Sequence, residues 1–361
     1  MSEERRERRI RVRASGSYDV VVGRGLIGRV GELVRDAEAA EGRSLDGTCL
    51  VVSDDNVGPL YADAACASLR AAGFDAHDVR MPAGEATKCL ARYGELLGAA
   101  ADAGLTRSGL VVALGGGVIG DLAGFVAATY MRGCRLVQVA TSLLAMVDSS
   151  VGGKTAIDLP QGKNLAGAFL QPDLVVCDLD ALRTLPASFL SDGTGEVVKY
   201  GIMCDPELFA WLEAPVMGQE GRVVARCVAI KRDVVEADER EAGERKRLNL
   251  GHTVGHAIER CSGYTIPHGH AVAAGCAIMA RACAARGLCA GEDAARIVRM
   301  IAGHGLPTTT TYGADELYAA ALHDKKRVGD GMDVVLVRGV GATEIRRVSL
   351  PELREIIEEG L

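Results

Sequence analysis

Aromatic residues are scarce in this chain of 361 residues, at 4%, with a single tryptophan. A core built without large rings must be packed from Ala, Val, Leu and Ile. Basic charge is not in excess: the formal net charge is −7, which argues against a general nucleic-acid surface or an acidic-membrane surface. No apolar run approaches the roughly 20 residues that span a bilayer. The eleven cysteines are odd in number and contain no Cys-x-x-Cys pair. Cys134, Cys177 and Cys276 lie in apolar runs, where a free thiol acts as a small hydrophobe. No secretory signal pattern is visible either, so the expectation is a reducing, cytoplasmic setting.

Glycine, by contrast, is abundant at 45 residues, many of them in motifs. The length suggests two domains, because single cores stop growing at roughly 250–300 residues. Residues 18–23, 49–53, 75–81 and 109–114 read as strands. Helical patterns at 26–40, 61–72 and 88–103 alternate with them. Such alternation predicts an α/β domain, residues 1–180, with a parallel Rossmann-like sheet that binds ligands beyond the carboxyl ends of its strands. From Pro186 the period is helical at 193–203, 206–212, 222–236, 253–259, 271–286 and 293–301, with one extended run at 333–337. This predicts a mainly α-helical second domain, residues 181–361, facing the sheet domain across a cleft. The run Arg5-Arg6-Glu7-Arg8-Arg9 reads as a frayed, solvated terminus.

Four of the seven histidines fall between His252 and His270. His252 and His256 are four residues apart, so on a helix they share a face. Spacing alone makes them a ligand pair; His268 follows 16 residues after His252, and Gly195-Glu196-Val197-Val198-Lys199 places a carboxylate and an ammonium three residues apart. Two histidines, one carboxylate and an open position are the makings of a catalytic metal site. The plain alternative is a satisfied core histidine. Gly115-Gly116-Gly117-Val118-Ile119-Gly120-Asp121 satisfies G-x-G-x-x-G after a strand, where backbone amides can approach a pyrophosphate; a tight strand–helix turn is the plain alternative. Asp54 and Asn56 end an earlier strand and could meet ribose hydroxyls or simply make a turn. Val151-Gly152-Gly153-Lys154-Thr155 resembles half a P-loop, but Asp148 stands where the Walker pattern needs glycine, so an NTPase reading fails. Lys154, Lys163 and Asn164 read as anion ligands in glycine-rich turns, or as exposed loop residues. Lys231, Arg245 and Asn249 precede His252, and cations beside a metal site call for an anionic substrate.

In this order the motifs resemble the 3-dehydroquinate synthase family of sugar-phosphate cyclases. The anchors are residues 115–121, Met-Val-Asp-Ser-Ser-Val-Gly-Gly-Lys-Thr at 146–155, Gly-Lys-Asn at 162–164, Glu-Val-Val-Lys-Tyr-Gly at 196–201, Asn-Leu-Gly-His-Thr-Val-Gly-His at 249–256 and His-Gly at 268–269. The resemblance implies NAD in the α/β domain and a divalent zinc or cobalt held by Glu196, His252 and His268, with His256 on the phosphate side. It implies substrate phosphate at Lys154, Asn164, His256 and Lys325 or Lys326. It gives Lys231 and Arg245 to a carboxylate, and Lys163, Lys199, Asn249 and Asp148 to hydroxyl or metal-side contacts. Arg132 would reach a neighbouring copy's phosphate site in a homodimer. NAD contacts are implied at Asp54, Asn56, Glu85, Lys88, Gly116, Gly117, Val118, Asp121, Thr141, Ser142, Lys154, Lys163 and Thr184. The implied reaction converts 3-deoxy-D-arabino-heptulosonate 7-phosphate, a sugar-acid phosphate, to 3-dehydroquinate and phosphate in the shikimate pathway. NAD is turned over as a catalyst, and an intramolecular aldol step closes the ring.

Two positions depart from the family text. Thr194-Gly195-Glu196 replaces Leu-Ala-Glu, which is expected to loosen the helix carrying Glu196. His268-Gly269-His270 replaces His-Gly-Glu and adds a competing imidazole. The alternatives are a cyclase for an amino analogue or for sedoheptulose 7-phosphate, a polyol dehydrogenase consuming NAD, and a non-enzymatic metal or NAD protein. Arg245, Lys231 and Asn249 favour an acid substrate.

Overall fold

The computed structural model describes residues 7–42, 47–322, 327–328 and 331–361. Lys325, with Asp324 and Lys326, lies outside the described residues. The chain forms two compact units: Met1–Leu185 with Glu220–Arg240, and Pro186–Gln219 with Glu241–Leu361.

The first unit begins with β1 (Arg8–Arg13), β2 (Ser17–Gly23), α1 (Val30–Glu41), β3 (Thr48–Asp54), α2 (Gly58–Ala71) and β4 (Asp75–Met81). There follow α3 (Leu90–Asp102), β5 (Leu110–Gly115), α4 (Gly117–Thr129), β6 (Arg135–Ala140), a hairpin of β7 (Lys154–Leu159) and β8 (Gly162–Phe169), and β9 (Leu174–Asp178). The seven-stranded sheet runs β1-β2-β9-β6-β5-β3-β4. Only β1 is antiparallel to its neighbour; every other pairing is parallel. Leu33 and Val34 of α1 and Leu69 of α2 pack in one core layer, while Leu96 of α3 and Leu122 and Val126 of α4 pack in another. The central strands are therefore buried on both faces and read as continuous aliphatic runs. The chain leaves β3 outward to β4, then crosses back to β5 on the other side. That reversal is a topological switch point, where sheets of this kind bind ligands at the carboxyl ends.

Residues 8 and 9 are not frayed. They open β1, where Val12 faces the core and the arginines find acids: Arg9 reaches Glu7 at 3.0 Å, and Arg11 reaches Glu41 and Asp19. Charged side chains suit an edge strand because they discourage pairing with another chain. Likewise, Lys154 opens β7, and Lys163 and Asn164 belong to β8, so they sit on a hairpin rather than in turns. Asn164 nonetheless has a φ of +55°, and its backbone N–H donates to Asp158 Oδ1 at 2.7 Å.

The second unit contributes α5 (Ala187–Cys204) and α6 (Pro206–Trp211) before α7 (Glu220–Ala237) returns to the first unit. By sequence α7 falls in the expected second domain, because a helical period does not say which core a helix joins. α7 packs instead on β1, β2 and a single π turn at Ala145–Ser149. The second unit continues with α8 (His252–Cys261), α9 (His268–Ala285), α10 (Gly291–Gly303) and α11 (Ala314–Ala321). It closes with β10 (Arg327–Val328), β11 (Gly331–Gly339), β12 (Ala342–Ser349) and α12 (Leu350–Gly360). β10–β12 form an antiparallel sheet, of which the sequence reading saw only β11.

Candidate functional site

α9 organises the second unit, packing against α5, α8, α10 and α12. It is rich in alanine and almost wholly buried. Glycines let its neighbours come close. A Cβ on Gly195 of α5 would lie 2.2 Å from the Gly269 carbonyl oxygen, and one on Gly275 would lie 2.1 Å from that of Gly251. Gly195 therefore serves the α5–α9 contact, and α5 runs unbroken through it, contrary to the expected loosening. Asp192 adds polar fixation: its Oδ1 accepts the N–H groups of Gly269 at 2.6 Å and His270 at 3.2 Å, satisfying amides at the start of α9.

These contacts bring one ligand from each of three helices together. Glu196 comes from the middle of α5, His252 from the first residue of α8 and His268 from the first residue of α9. One donor atom of each lies within 4.8 Å of the others. Glu196 is fully buried; its Oε1 is 3.7 Å from His252 Nε2 and 3.4 Å from His268 Nε2, and its Oε2 is 2.5 Å from Lys199 Nζ. His252 Nδ1 faces the Leu250 carbonyl oxygen at 3.1 Å. His268 Nδ1 faces Glu259 Oε2 at 3.3 Å. Burial works against a positive His268, but hydrogen bonds to Glu196 and Glu259 outweigh it and push its pKa up to about 10. Two buried carboxylates thus converge on one imidazole and call for positive charge between them. A divalent cation meets that need, and a donor set of two imidazole nitrogens and one carboxylate fits zinc or cobalt.

The pairing that spacing alone suggested does not form the set. The rings of His252 and His256 are 5.3 Å apart, but His256 groups with Glu259 and His268 instead. His270 joins neither group: its Nδ1 faces Asp192 Oδ1 at 3.3 Å, which takes it out of competition with His268. Arg245 is buried, and Asn249 donates to Glu241 Oε1 at 2.6 Å.

In the first unit, the dinucleotide candidates gather at one edge of the sheet. Asp54 ends β3 and Asn56 follows it, Glu85 and Lys88 follow β4, Gly116, Gly117 and Val118 follow β5, Thr141 and Ser142 follow β6, and Thr184 follows β9. All are carboxyl ends of parallel strands, and β3 and β5 flank the switch point. Gly116 precedes α4 and makes no side-chain cap hydrogen bond to it. Asp54 has a structural task as well: its Oδ1 accepts the N–H groups of Asn56 and Val57 at 2.9 and 2.8 Å. Lys88 is buried and meets Asp121 at 2.5 Å. Burial opposes the ammonium, but Asp121 and Glu85 outweigh it and hold the Lys88 pKa above its ordinary value. Lys163 reaches Glu85 at 3.5 Å, and Tyr61 shares a hydrogen bond with Thr184 at 2.5 Å. Lys231 of α7 donates to Asp148 Oδ1 at 2.8 Å within this unit. Lys154 and Arg132 are exposed, and Arg132 has a φ of +66°.

Sequence reasoning missed Glu259, Asp192 and Asp158. Glu259 had a signal: it stands seven residues after His252 and three after His256 on α8, hence on the same helix face. Asp192 acts across 77 positions and left none, whereas Asp158 stands only six residues before Asn164, in the same hairpin.

One unit with a parallel sheet and a glycine turn at its switch point, and another, mainly helical, with a two-histidine, one-carboxylate group, are the parts of a dehydroquinate synthase-like fold. Sequence models of the 3-dehydroquinate synthase N-terminal and C-terminal regions match residues 78–192 and 193–327. A 3-dehydroquinate synthase of Geobacter metallireducens is 45% identical over 351 residues, 95% of each chain. Among solved structures, 2-deoxy-scyllo-inosose synthase complexed with carbaglucose-6-phosphate, NAD+ and Co2+ superposes with a TM-score of 0.85 at 25% identity, covering 98% of this chain and 100% of that one. The 2-epi-5-epi-valiolone synthase of Streptomyces hygroscopicus, with NAD+ and Zn2+ bound, gives 0.84 at 26% identity, covering 97% and 98%. The chain belongs to the 3-dehydroquinate synthase family.

Proposed function

We propose that this chain is a carbon–oxygen lyase that cyclises 3-deoxy-D-arabino-heptulosonate 7-phosphate to 3-dehydroquinate with loss of phosphate. The observation that carries the reading is the convergence of Glu196, His252 and His268 donors within 4.8 Å. NAD supplies reversible oxidation of a substrate alcohol, and the divalent cation supplies Lewis-acid polarisation of substrate oxygens. Glu196, His252 and His268 hold the cation. Lys199, at 2.5 Å from Glu196, keeps an ammonium beside the substrate oxygens. Arg245 presents a buried guanidinium to the substrate carboxylate, a fork geometry suited to that group. Asn249, oriented by Glu241, contacts a hydroxyl, and His256 lies on the phosphate side. In the first unit, Lys154, Lys163 and Asn164 are assigned to anionic and hydroxyl groups of the substrate, and Lys231 and Asp148 act as a pair. Gly116, Gly117 and Val118 cradle the NAD pyrophosphate, with Asp54, Asn56, Glu85, Lys88, Asp121, Thr141, Ser142 and Thr184 around it. Holding one conformer of a flexible substrate is the main task of these residues.

Arg132, exposed and in a left-handed conformation, is assigned to a neighbouring copy, which makes the working form a homodimer. Free thiols at all eleven cysteines support a reducing cytoplasm. Among the described residues no helix is long and apolar enough to cross a membrane.

The test supplies the heptulosonate phosphate with zinc and NAD at a tenth of the substrate concentration. The expected outcome is one phosphate and one 3-dehydroquinate per substrate consumed, with no lasting NADH signal. NADH accumulating in step with substrate loss would establish a dehydrogenase instead. Turnover of sedoheptulose 7-phosphate in preference to the acid would overturn the carboxylate role of Arg245.

A further inference from the structure

We propose that Glu259 is the positioning residue of the His268 ligand, a buried carboxylate that holds the imidazole by Nδ1 and turns Nε2 to the metal. The inference rests on the metal reading above. The two histidines of the group are built alike although they stand on different helices. His252 has Nδ1 3.1 Å from the Leu250 carbonyl oxygen and Nε2 3.7 Å from Glu196 Oε1. His268 has Nδ1 3.3 Å from Glu259 Oε2 and Nε2 3.4 Å from Glu196 Oε1. A neutral imidazole has one N–H and one lone pair, and whichever nitrogen meets an acceptor keeps the proton. With a cation bound beside Glu196, both rings would keep their Nδ1 protons on these acceptors and turn their Nε2 lone pairs to the same point.

The two acceptors differ in kind. Leu250 offers a backbone carbonyl, whereas Glu259 offers a full negative charge on a side chain only 6% exposed. A carboxylate behind an imidazole fixes its orientation and strengthens it as a metal donor. Glu259 also links two helices: it stands on α8 with His252 yet orients His268 on α9. It is not itself a ligand of this group, because its donor oxygen clusters with His256 and His268 and not with Glu196 and His252.

The experiment uses the full chain stripped of metal, as wild type, Glu259→Gln and Glu259→Ala. Zinc affinity is measured by competition with a chromophoric chelator, and the cobalt-loaded proteins are compared by visible absorption. Glu259→Gln keeps an acceptor for Nδ1–H but loses the charge, and should weaken zinc binding about 10-fold; Glu259→Ala should weaken it towards 100-fold. Cobalt bands of unchanged position and intensity are expected, because the ligand set is intact. Wild-type zinc affinity in both variants, with only the melting temperature of the metal-free protein lowered, would reduce Glu259 to a structural role and overturn the inference. A cobalt spectrum showing one protein ligand fewer would make Glu259 a ligand, which also overturns it. Should Glu259→Ala fail to fold, Glu259→Gln decides alone. If the wild type binds neither zinc nor cobalt, the metal reading falls and this inference with it.

Discussion

Single charges deep in the first unit have large consequences because water is not there to replace a lost partner. Lys88 and Asp121 have side chains only 5% and 19% exposed. Asp121→Asn keeps the shape but leaves the Lys88 ammonium without its closest counter-charge. Urea unfolding of the metal- and NAD-free protein should show a loss of about 3–5 kcal/mol, the usual result of breaking one side of a buried pair. A loss under about 1 kcal/mol, the range of exposed pairs, would show that solvent reaches Lys88. Residues of this kind were only half legible. Lys88 and Asp121 could be placed near NAD by motif, but nothing in their spacing of 33 positions says that they meet. The same holds for Glu196, His252 and His268. Spacing favoured His252 with His256; only the family motif put His268 in place of His256, since helix periodicity relates residues within a helix and says nothing of the angle between two helices.

Elements were legible where period and punctuation agreed. β4 spans Asp75–Met81, the range read from the sequence, and Gly116 marks the start of α4. β1 was lost because its arginines masked the alternation of Ile10 and Val12. Helix contacts were not legible, because the cause is the absence of side chains. Gly251 shows the cost of filling such a space. Its φ is +75°, and a Cβ there would stand 2.6 Å from Cys276 Sγ and 2.7 Å from the Val272 carbonyl oxygen. Gly251→Ala should combine left-handed strain of about 1–2 kcal/mol with overpacking of about 1–3 kcal/mol. It also displaces His252, the next residue. A lower melting temperature together with weaker zinc binding is expected. An unaltered melt would mean that α8 and α9 separate without penalty, and the close crossing would then not be what holds His252 in place.

At the scale of the whole molecule, two units divide the chemistry. One carries a sheet edge where most NAD candidates stand at the carboxyl ends of parallel strands, with Lys154 and Lys163 on the β7–β8 hairpin, and the other carries a candidate metal group drawn from three helices. The alternation of strands and helices made the first legible, and the switch point gave it a physical basis beyond the glycine motif. The boundary was less so: α7 looks like any helix of the second half, and only its packing assigns it to the first unit. The account depends most on the cation in the helical unit. Crystals grown with zinc and measured on both sides of the zinc absorption edge locate it directly. The prediction is an anomalous peak at bonding distance, about 2.0–2.2 Å, from the Glu196 carboxylate and from Nε2 of both His252 and His268. A peak on His256 or His270 in place of His268, or no peak near Glu196, would contradict it.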